Sequence, residues 1–162
     1  MTSYTFETTT PAHIKHIGLN MRVWDMKECA AFGMDPYEAL ISGYNRSSRC
    51  QTIMFGGVPA GIIGISPCPS PSEMTDVGLF PMPIIWMLGT DDLTRHPIKF
   101  MRETHAWKDQ VLGVPMQNFV HEGNIKARMF LEHLGAYFDY ENLVFFGGEP
   151  FMHFMIGGKY VS

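Results

Sequence analysis

The hydrophobic pattern of this chain changes period several times, and the order of those changes sets an architecture. Residues 3–8 alternate polar and apolar positions with Tyr, Thr and Phe, the signature of a short strand. Thr10-Pro11 then pairs an N-cap residue with a first-position proline. Ile14, Ile17 and Met21 fall on one helical face, and Gly18 is expected to break or kink that helix. Residues 22–32 read as a second helix with Trp24, Cys29 and Phe32 apolar, stopped by Gly33. Asp35-Pro36 repeats the start signal ahead of Tyr37, Leu40, Ile41 and Tyr44, which keep helical spacing.

The middle of the chain switches to strands. Residues 50–55 and 58–65 flank Gly56-Gly57, a pair suited to a hairpin turn because both residues accept positive φ. Residues 66–83 carry Pro67, Pro69, Pro71, Pro81 and Pro83 and read as a long loop. Residues 84–88 are continuously apolar, as in a central buried strand. A long helix is expected over 94–112, its apolar side formed by Ile98, Met101, His105, Val111 and Leu112 with Phe100 and Trp107 nearby. Then come a strand at 116–120, a turn, and a helix at 125–134 capped by Asn124 and Gly135, with Ala127, Phe130, Leu131 and Leu134 inward. Strands at 136–140, 143–146 and 150–156 close the chain. The 84–88 and 116–120 strands, joined by a helix, must be parallel. The expectation is one α+β domain over 1–162, with a mixed sheet of about six or seven strands and helices on both faces.

Composition narrows the function. The chain of 162 residues is 46% hydrophobic and only 17% charged, with a net charge of −4. That is a folded globule with no global pull toward nucleic acid, so no nucleic-acid partner is expected. No apolar run reaches the length of a membrane span. The first ten residues lack the basic and apolar regions of a signal peptide, and Cys29, Cys50 and Cys68 match no zinc spacing; they are expected to be buried free thiols in a reducing cytoplasm. Thirteen Met, with 12 Phe, 6 Tyr and 3 Trp, suit either an adaptable core or an adhesive contact surface.

The most specific stretch is Asn118-Phe-Val-His-Glu-Gly-Asn124-Ile-Lys-Ala127-Arg-Met-Phe-Leu-Glu-His-Leu134-Gly135-Ala. It resembles the late strand–Asn–helix–Leu-Gly segment of the GNAT acetyltransferase fold, and the order of elements resembles that fold over nearly the whole chain. Asn124 to Tyr137, together with Trp86-Met-Leu-Gly-Thr90 and Arg95-His-Pro-Ile-Lys-Phe100, resembles GNAT-like internal virion proteins of short-tailed bacteriophages, the internal virion protein A group. The resemblance implies that a pantetheine arm would lie against the backbone of Met87, Leu88 and Gly89, that Asn124 would contact the cofactor arm, and that Arg95, His96 and Lys99 would meet its phosphates. Acetyl-CoA or CoA is the cofactor so implied, although the residues alone fix none.

Two departures shape the functional expectation. GNAT enzymes carry a glycine-rich Arg/Gln-x-x-Gly-x-Gly/Ala turn whose N–H groups hold pyrophosphate; here residues 95–100 contain no glycine, and Pro97 lacks an N–H altogether. Many also carry a Tyr acid in the late helix, where this chain has Leu131, which cannot transfer a proton. No catalytic residue is therefore assigned, and no metal site: His13 and His16 lack a third ligand, and His121-Glu122 lacks the second His of an H-E-x-x-H motif. Asp91-Asp92 reads as a helix-start signal.

Three functions remain open. One is a phage protein acting by protein–protein contacts, with virion proteins or a host enzyme as partner, in the host cytoplasm or packaged in the virion. Another is an active acyl-CoA-dependent N-acetyltransferase for a host protein or small amine, with water or His121 standing in for the missing acid. The third is a small-ligand or CoA sensor without chemistry, using the same pocket. A homodimer through the apolar late strands is a further expectation.

Overall fold

The computed structural model describes residues 3–111 and 113–157, with the backbone alone at Val111; the expected helical position Leu112 lies outside the described residues. The elements are β1 (Tyr4–Thr8), α1 (Pro11–Leu19), α2 (Val23–Ala31), α3 (Pro36–Arg46), β2 (Arg49–Phe55), β3 (Val58–Ser66), α4 (Pro71–Asp76), β4 (Ile84–Gly89), a 3-10 turn (Asp91–Thr94), α5 (Pro97–Val111), β5 (Met116–His121), α6 (Ile125–His133), β6 (Ala136–Phe138), β7 (Val144–Phe146) and β8 (Glu149–Ile156).

The local chemistry expected at the helix starts is present. Thr10 caps α1 by accepting the His13 N–H, Asp35 caps α3 by accepting the Glu38 N–H, and Asn124 caps α6 by accepting the Ala127 N–H. Three expectations are corrected. Gly18 does not break α1, which runs on to Leu19; the glycine faces α3, where a Cβ would lie 3.6 Å from Leu40 Cδ1. The 66–83 stretch is not all loop, because Ser70 and Glu73 form a reciprocal capping box ahead of Pro71 and start α4. The long helix begins at Pro97, not 94, and buries Phe100, Thr104 and Trp107, leaving Ile98 72% exposed. Its inward stripe thus runs through a threonine, whose hydroxyl is satisfied by donating to Phe100 O (2.6 Å).

The eight strands form one mixed sheet in the order β1-β2-β3-β4-β5-β8-β6, with β7 also pairing β8. All neighbours are antiparallel except β4 and β5. One apolar cluster (Ile53, Ile63, Ile85, Phe100, Trp107, Phe154 and neighbours) lies under α5 and α6. The other (Ile14, Ile17, Leu40, Ile62 and neighbours) lies under α1–α3. Helices therefore cover both faces. Trp86 on β4 belongs to the second layer, and its ring fills the space above Gly43 and Gly64; a Cβ on Gly64 would run into the indole.

The parallel pair β4–β5 matters most for function. It makes a single register pair, Ile84↔Gln117, and then the strands part. The 66–83 segment is tied to the joined end. The Gln117 side chain accepts the Phe80 N–H (2.9 Å) and donates to Phe80 O (2.6 Å) and Met82 O (2.9 Å). The mouth of the split, at Gly89 and His121, faces away from this clamp.

Candidate functional site: the split between β4 and β5

Beyond Ile84↔Gln117, each strand edge would present bare N–H and C=O groups to the gap. A buried backbone group without a partner is costly, so what satisfies these groups reveals what the gap is for. At the narrow end Asn118 bridges it, donating from Nδ2 to Ile85 O (2.8 Å) while its Oδ1 accepts the Phe119 N–H (2.7 Å). At the wide end helix α2 does so. The Gly89 N–H donates to Asp25 Oδ2 (2.8 Å), and Gly89 O accepts the Arg22 N–H (2.8 Å). One turn further along, Glu28 Oε1 accepts the His121 N–H (3.2 Å) and Asn124 Nδ2 (3.1 Å). Helix α2 is thus a brace between the two arms of the sheet, with Asp25 on one arm and Glu28 on the other.

The brace is seated by packing as well. Trp24 lies against His121 with ring centroids 5.0 Å apart, and Phe32 meets Phe146 and Phe151. Gly147, at φ +57°, sits so close to Ala31 that a Cβ would approach its carbonyl oxygen to 2.7 Å. Burial raises the carboxyl groups of both Asp25 and Glu28; the Arg22 guanidinium opposes this at Asp25, and the Asn124 amide opposes it at Glu28. Burial also pushes the neighbouring Cys29 thiol up to about 12, so it is not a nucleophile.

The second half of the expected cofactor cradle is the turn before α5. Four of its N–H donors are used internally. Thr90 Oγ1 accepts the Asp92 N–H (3.2 Å), the Leu93 N–H donates to Thr90 O (3.1 Å), and the Arg95 N–H donates to Asp92 O (3.4 Å). The His96 N–H donates to the Tyr4 hydroxyl (3.3 Å), which itself donates to Asp92 O (2.8 Å). Burial raises the Tyr4 phenol, keeping that donor protonated. Pro97 supplies no N–H. Tyr4, on an edge strand nearly a hundred residues away in sequence, therefore takes one of the N–H groups at the head of α5, that of His96.

The residues expected to bind cofactor fall into two groups. Gly89 and Asn124 flank the split, but both are bonded to α2 side chains. By the alternation of the β3–β4 ladder, Met87 directs its backbone into the same gap between Ile85 and Gly89, whereas Leu88 faces β3. Arg95 and His96 lie at the head of α5 with Lys99: the Arg95 guanidinium is paired with Asp92 (2.7 Å), and the His96 ring stacks on Phe55 at 4.9 Å. Arg22, Asp25, Glu28, Tyr4 and Asn118 were not among the expected site residues. A signal did exist for two of them: Asp25 and Glu28 fall on the same helical stripe as Met21, Cys29 and Phe32, and an acid within an apolar stripe marks a buried polar contact. Among the described residues no cluster of His, Cys, Asp and Glu could hold a metal, and no helix is long and apolar enough to cross a membrane. All three cysteines are free; Cys29 is buried as expected and Cys50 half-buried, whereas Cys68, in the connection ahead of α4, is exposed.

The chain is similar in fold to several solved structures. An acetyltransferase from Thermus thermophilus matches over 94% of this chain and 96% of its own, at 17% identity and a TM-score of 0.58. The fold is that of the GNAT acetyltransferases. A GNAT-family acetyltransferase from Streptococcus agalactiae covers 94% of each chain at 13% identity, TM-score 0.63. AAC(6')-Ib, in a complex with ribostamycin and coenzyme A, covers 95% of this chain and 93% of its own at 14% identity, TM-score 0.63. No known sequence family and no curated protein matches the chain. At these identities the likeness to GNAT enzymes is one of fold. Of the groups that would meet coenzyme A, the Gly89 N–H and C=O and the His96 N–H are already bonded within the chain, whereas the Met87 backbone faces the gap.

Proposed function

We propose that this chain is a bacteriophage protein that uses the GNAT fold as a contact scaffold, without acyl transfer, in the virion core. The observation that carries this reading is that groups in both halves of the cofactor cradle are bonded within the chain: α2 takes Gly89 and the His121 N–H, and Tyr4 takes the His96 N–H. The glycine-free turn with Pro97, and Leu131 in place of a proton donor, agree with it. Exposed apolar side chains, among them Leu19, Val23, Ile98, Met129 and Phe145, are available on the outer surface for contacts. The virion assignment is supported by the resemblance of the 86–90, 95–100 and 124–137 segments to internal virion proteins; a host enzyme is the other partner compatible with the same surface.

A second reading, an acyl-CoA-dependent N-acetyltransferase acting on a host protein or small amine, is favoured by one observation: β4 and β5 do part after a single register pair, as that chemistry requires of the fold. Thermal unfolding with millimolar CoA and acetyl-CoA, paired with a free-thiol assay on candidate amines, separates the two. A ligand present at 100 times its dissociation constant adds about 2.7 kcal/mol to stability, a shift of several degrees for a chain of this size. The contact scaffold predicts no shift and no thiol release. A shift with turnover overturns it in favour of the enzyme. The protein should be found in purified virions; if it is absent there, the virion role falls and the host enzyme becomes the partner.

A further inference from the structure

Of the apolar late strands, β8 is paired on both sides, by β5 on one and by β6 and β7 on the other, so β6 and β7 form the open edge of the sheet. The direction of the β7 backbone follows from its partner. Phe145 lies opposite Pro150, which has no N–H and whose carbonyl accepts the Glu122 N–H (3.0 Å) on the β5 side. Position 145–150 is thus one where the hairpin exchanges no bond, and Phe145 turns its N–H and C=O outward, with no partner for either among the described residues. Such an edge is matched by another extended backbone.

The side chains narrow the choice of that backbone. Phe145 is 64% exposed, and Leu143, Tyr137 and Tyr140 are exposed along the same edge. Residues 143–148 carry no charge, whereas β1, the other edge of the sheet, carries the exposed Glu7, a charge that discourages pairing. A second β7 running antiparallel about Phe145 sets Phe145 against its own copy, Val144 against Phe146 and Leu143 against Gly147, so every pair is uncharged. Charges begin only beyond that stretch, where Glu141 of one copy comes towards Glu149 of the other. The exposed parts of the four side chains amount to roughly 400 Å². That is about half of the roughly 800 Å² each partner gives to a standard interface, which suits a pair in exchange with its monomers.

We propose that β7 is a self-pairing edge: two copies of this chain join β7 to β7 antiparallel, with the two-fold axis at Phe145 and the Phe145 N–H of each copy donating to the Phe145 C=O of the other, so that the two sheets run on as one. The proposal goes beyond the contact-scaffold reading and depends on neither reading of the split between β4 and β5.

Sedimentation equilibrium of the full chain tests it. The wild type should pass from monomer to dimer over about 10 µM to 1 mM, as that area implies. High salt should tighten the pair by screening Glu141 from Glu149. Phe145→Lys should weaken it by about tenfold or more, and so should Phe145→Pro, which removes only the outward N–H and leaves the hairpin bonds in place. Ile98→Lys, at an exposed apolar position on α5, should leave it unchanged. Amide exchange gives a reading in the wild type itself: the Phe145 N–H should be protected in concentrated solution and open in dilute solution. A chain that stays monomeric throughout, a dimer that salt loosens, that Phe145→Lys leaves intact or that Ile98→Lys weakens equally, or a Phe145 amide whose exchange ignores concentration overturns the proposal.

Discussion

The carboxylate of Asp25 and the backbone N–H of Gly89 lie 2.8 Å apart, and this contact places a helix where the sequence leads one to expect a cofactor arm. The same Asp25 oxygen accepts two bonds from Arg22, whose own N–H donates to Gly89 O, so one residue of β4 has both its backbone groups filled from α2. The end of the gap at Gly89 is thus closed by α2.

Asp25→Ala should therefore destabilise the chain by about 3 kcal/mol, because it leaves the Gly89 N–H and a largely buried guanidinium without their acceptor. Urea unfolding at pH 7 measures this. A loss under 0.5 kcal/mol would mean that α2 rests on the sheet without bracing it.

Asn124 has two tasks, accepting the Ala127 N–H as the cap of α6 and donating to Glu28. Asn124→Ala should cost about 2 kcal/mol, from the lost cap and the stranded carboxylate together. Asn124→Asp keeps the cap but sets a second acid against Glu28. It should recover stability at pH 5 relative to pH 8, when the two chains are compared by thermal unfolding.

Burial holds His153 neutral, depressed to about 4 from an ordinary 6.5. A base whose folded value lies below its unfolded value contributes stability that is complete above about pH 6.5 and lost as pH falls towards 4. The window spans roughly 3 kcal/mol for this one group. His153 Nε2 lies 2.8 Å from Gln117 Oε1, so His153→Gln retains a donor there and removes the titration. Unfolding free energies of the variant should decline less between pH 7 and pH 4 than those of the wild type, by about that amount. Parallel curves would contradict a buried neutral histidine.

Gly64 and Gly113 make a paired test of packing. A methyl on Gly64 would strike the Trp86 indole, whereas one on Gly113 meets nothing within 4 Å. Gly64→Ala should cost about 1–3 kcal/mol, and Gly113→Ala should stay within about 0.5 kcal/mol of the wild type. Trp86 fluorescence should shift only in the first, since Trp86 Nε1 donates to Ser47 Oγ (2.8 Å) and a displaced ring breaks that bond.

Local signals in the sequence carried most of the architecture. Thr10, Asp35 and Asn124 announce their helices through cap chemistry that needs no tertiary context, and Gly56-Gly57 announces its hairpin through positive φ. Continuous apolar residues at 84–88 marked the central strand, and the parallel crossover followed from topology. What stayed illegible depends on long-range contact. The inward face of α5 includes Thr104, which is polar by type and apolar by placement once its hydroxyl turns back on Phe100 O. Pro67, Pro69 and Pro71 masked the capping box of Ser70 and Glu73, although the box itself was readable. At the site, Gly89, Asn124 and the head of α5 were expected from resemblance, but their partners were not. Tyr4 and Glu28 lie some 90 residues in sequence from the N–H groups they accept, and no local pattern pairs such residues.

The most direct test of the central claim is a titration of the isotope-labelled chain with CoA, following the backbone amides of Gly89, His96 and His121. If the chain's own side chains fill the cradle, these three resonances stay in place up to millimolar CoA. Saturable shifts at Gly89 and His96 together would show that the gap and the head of α5 accept the cofactor after all, and would contradict the account.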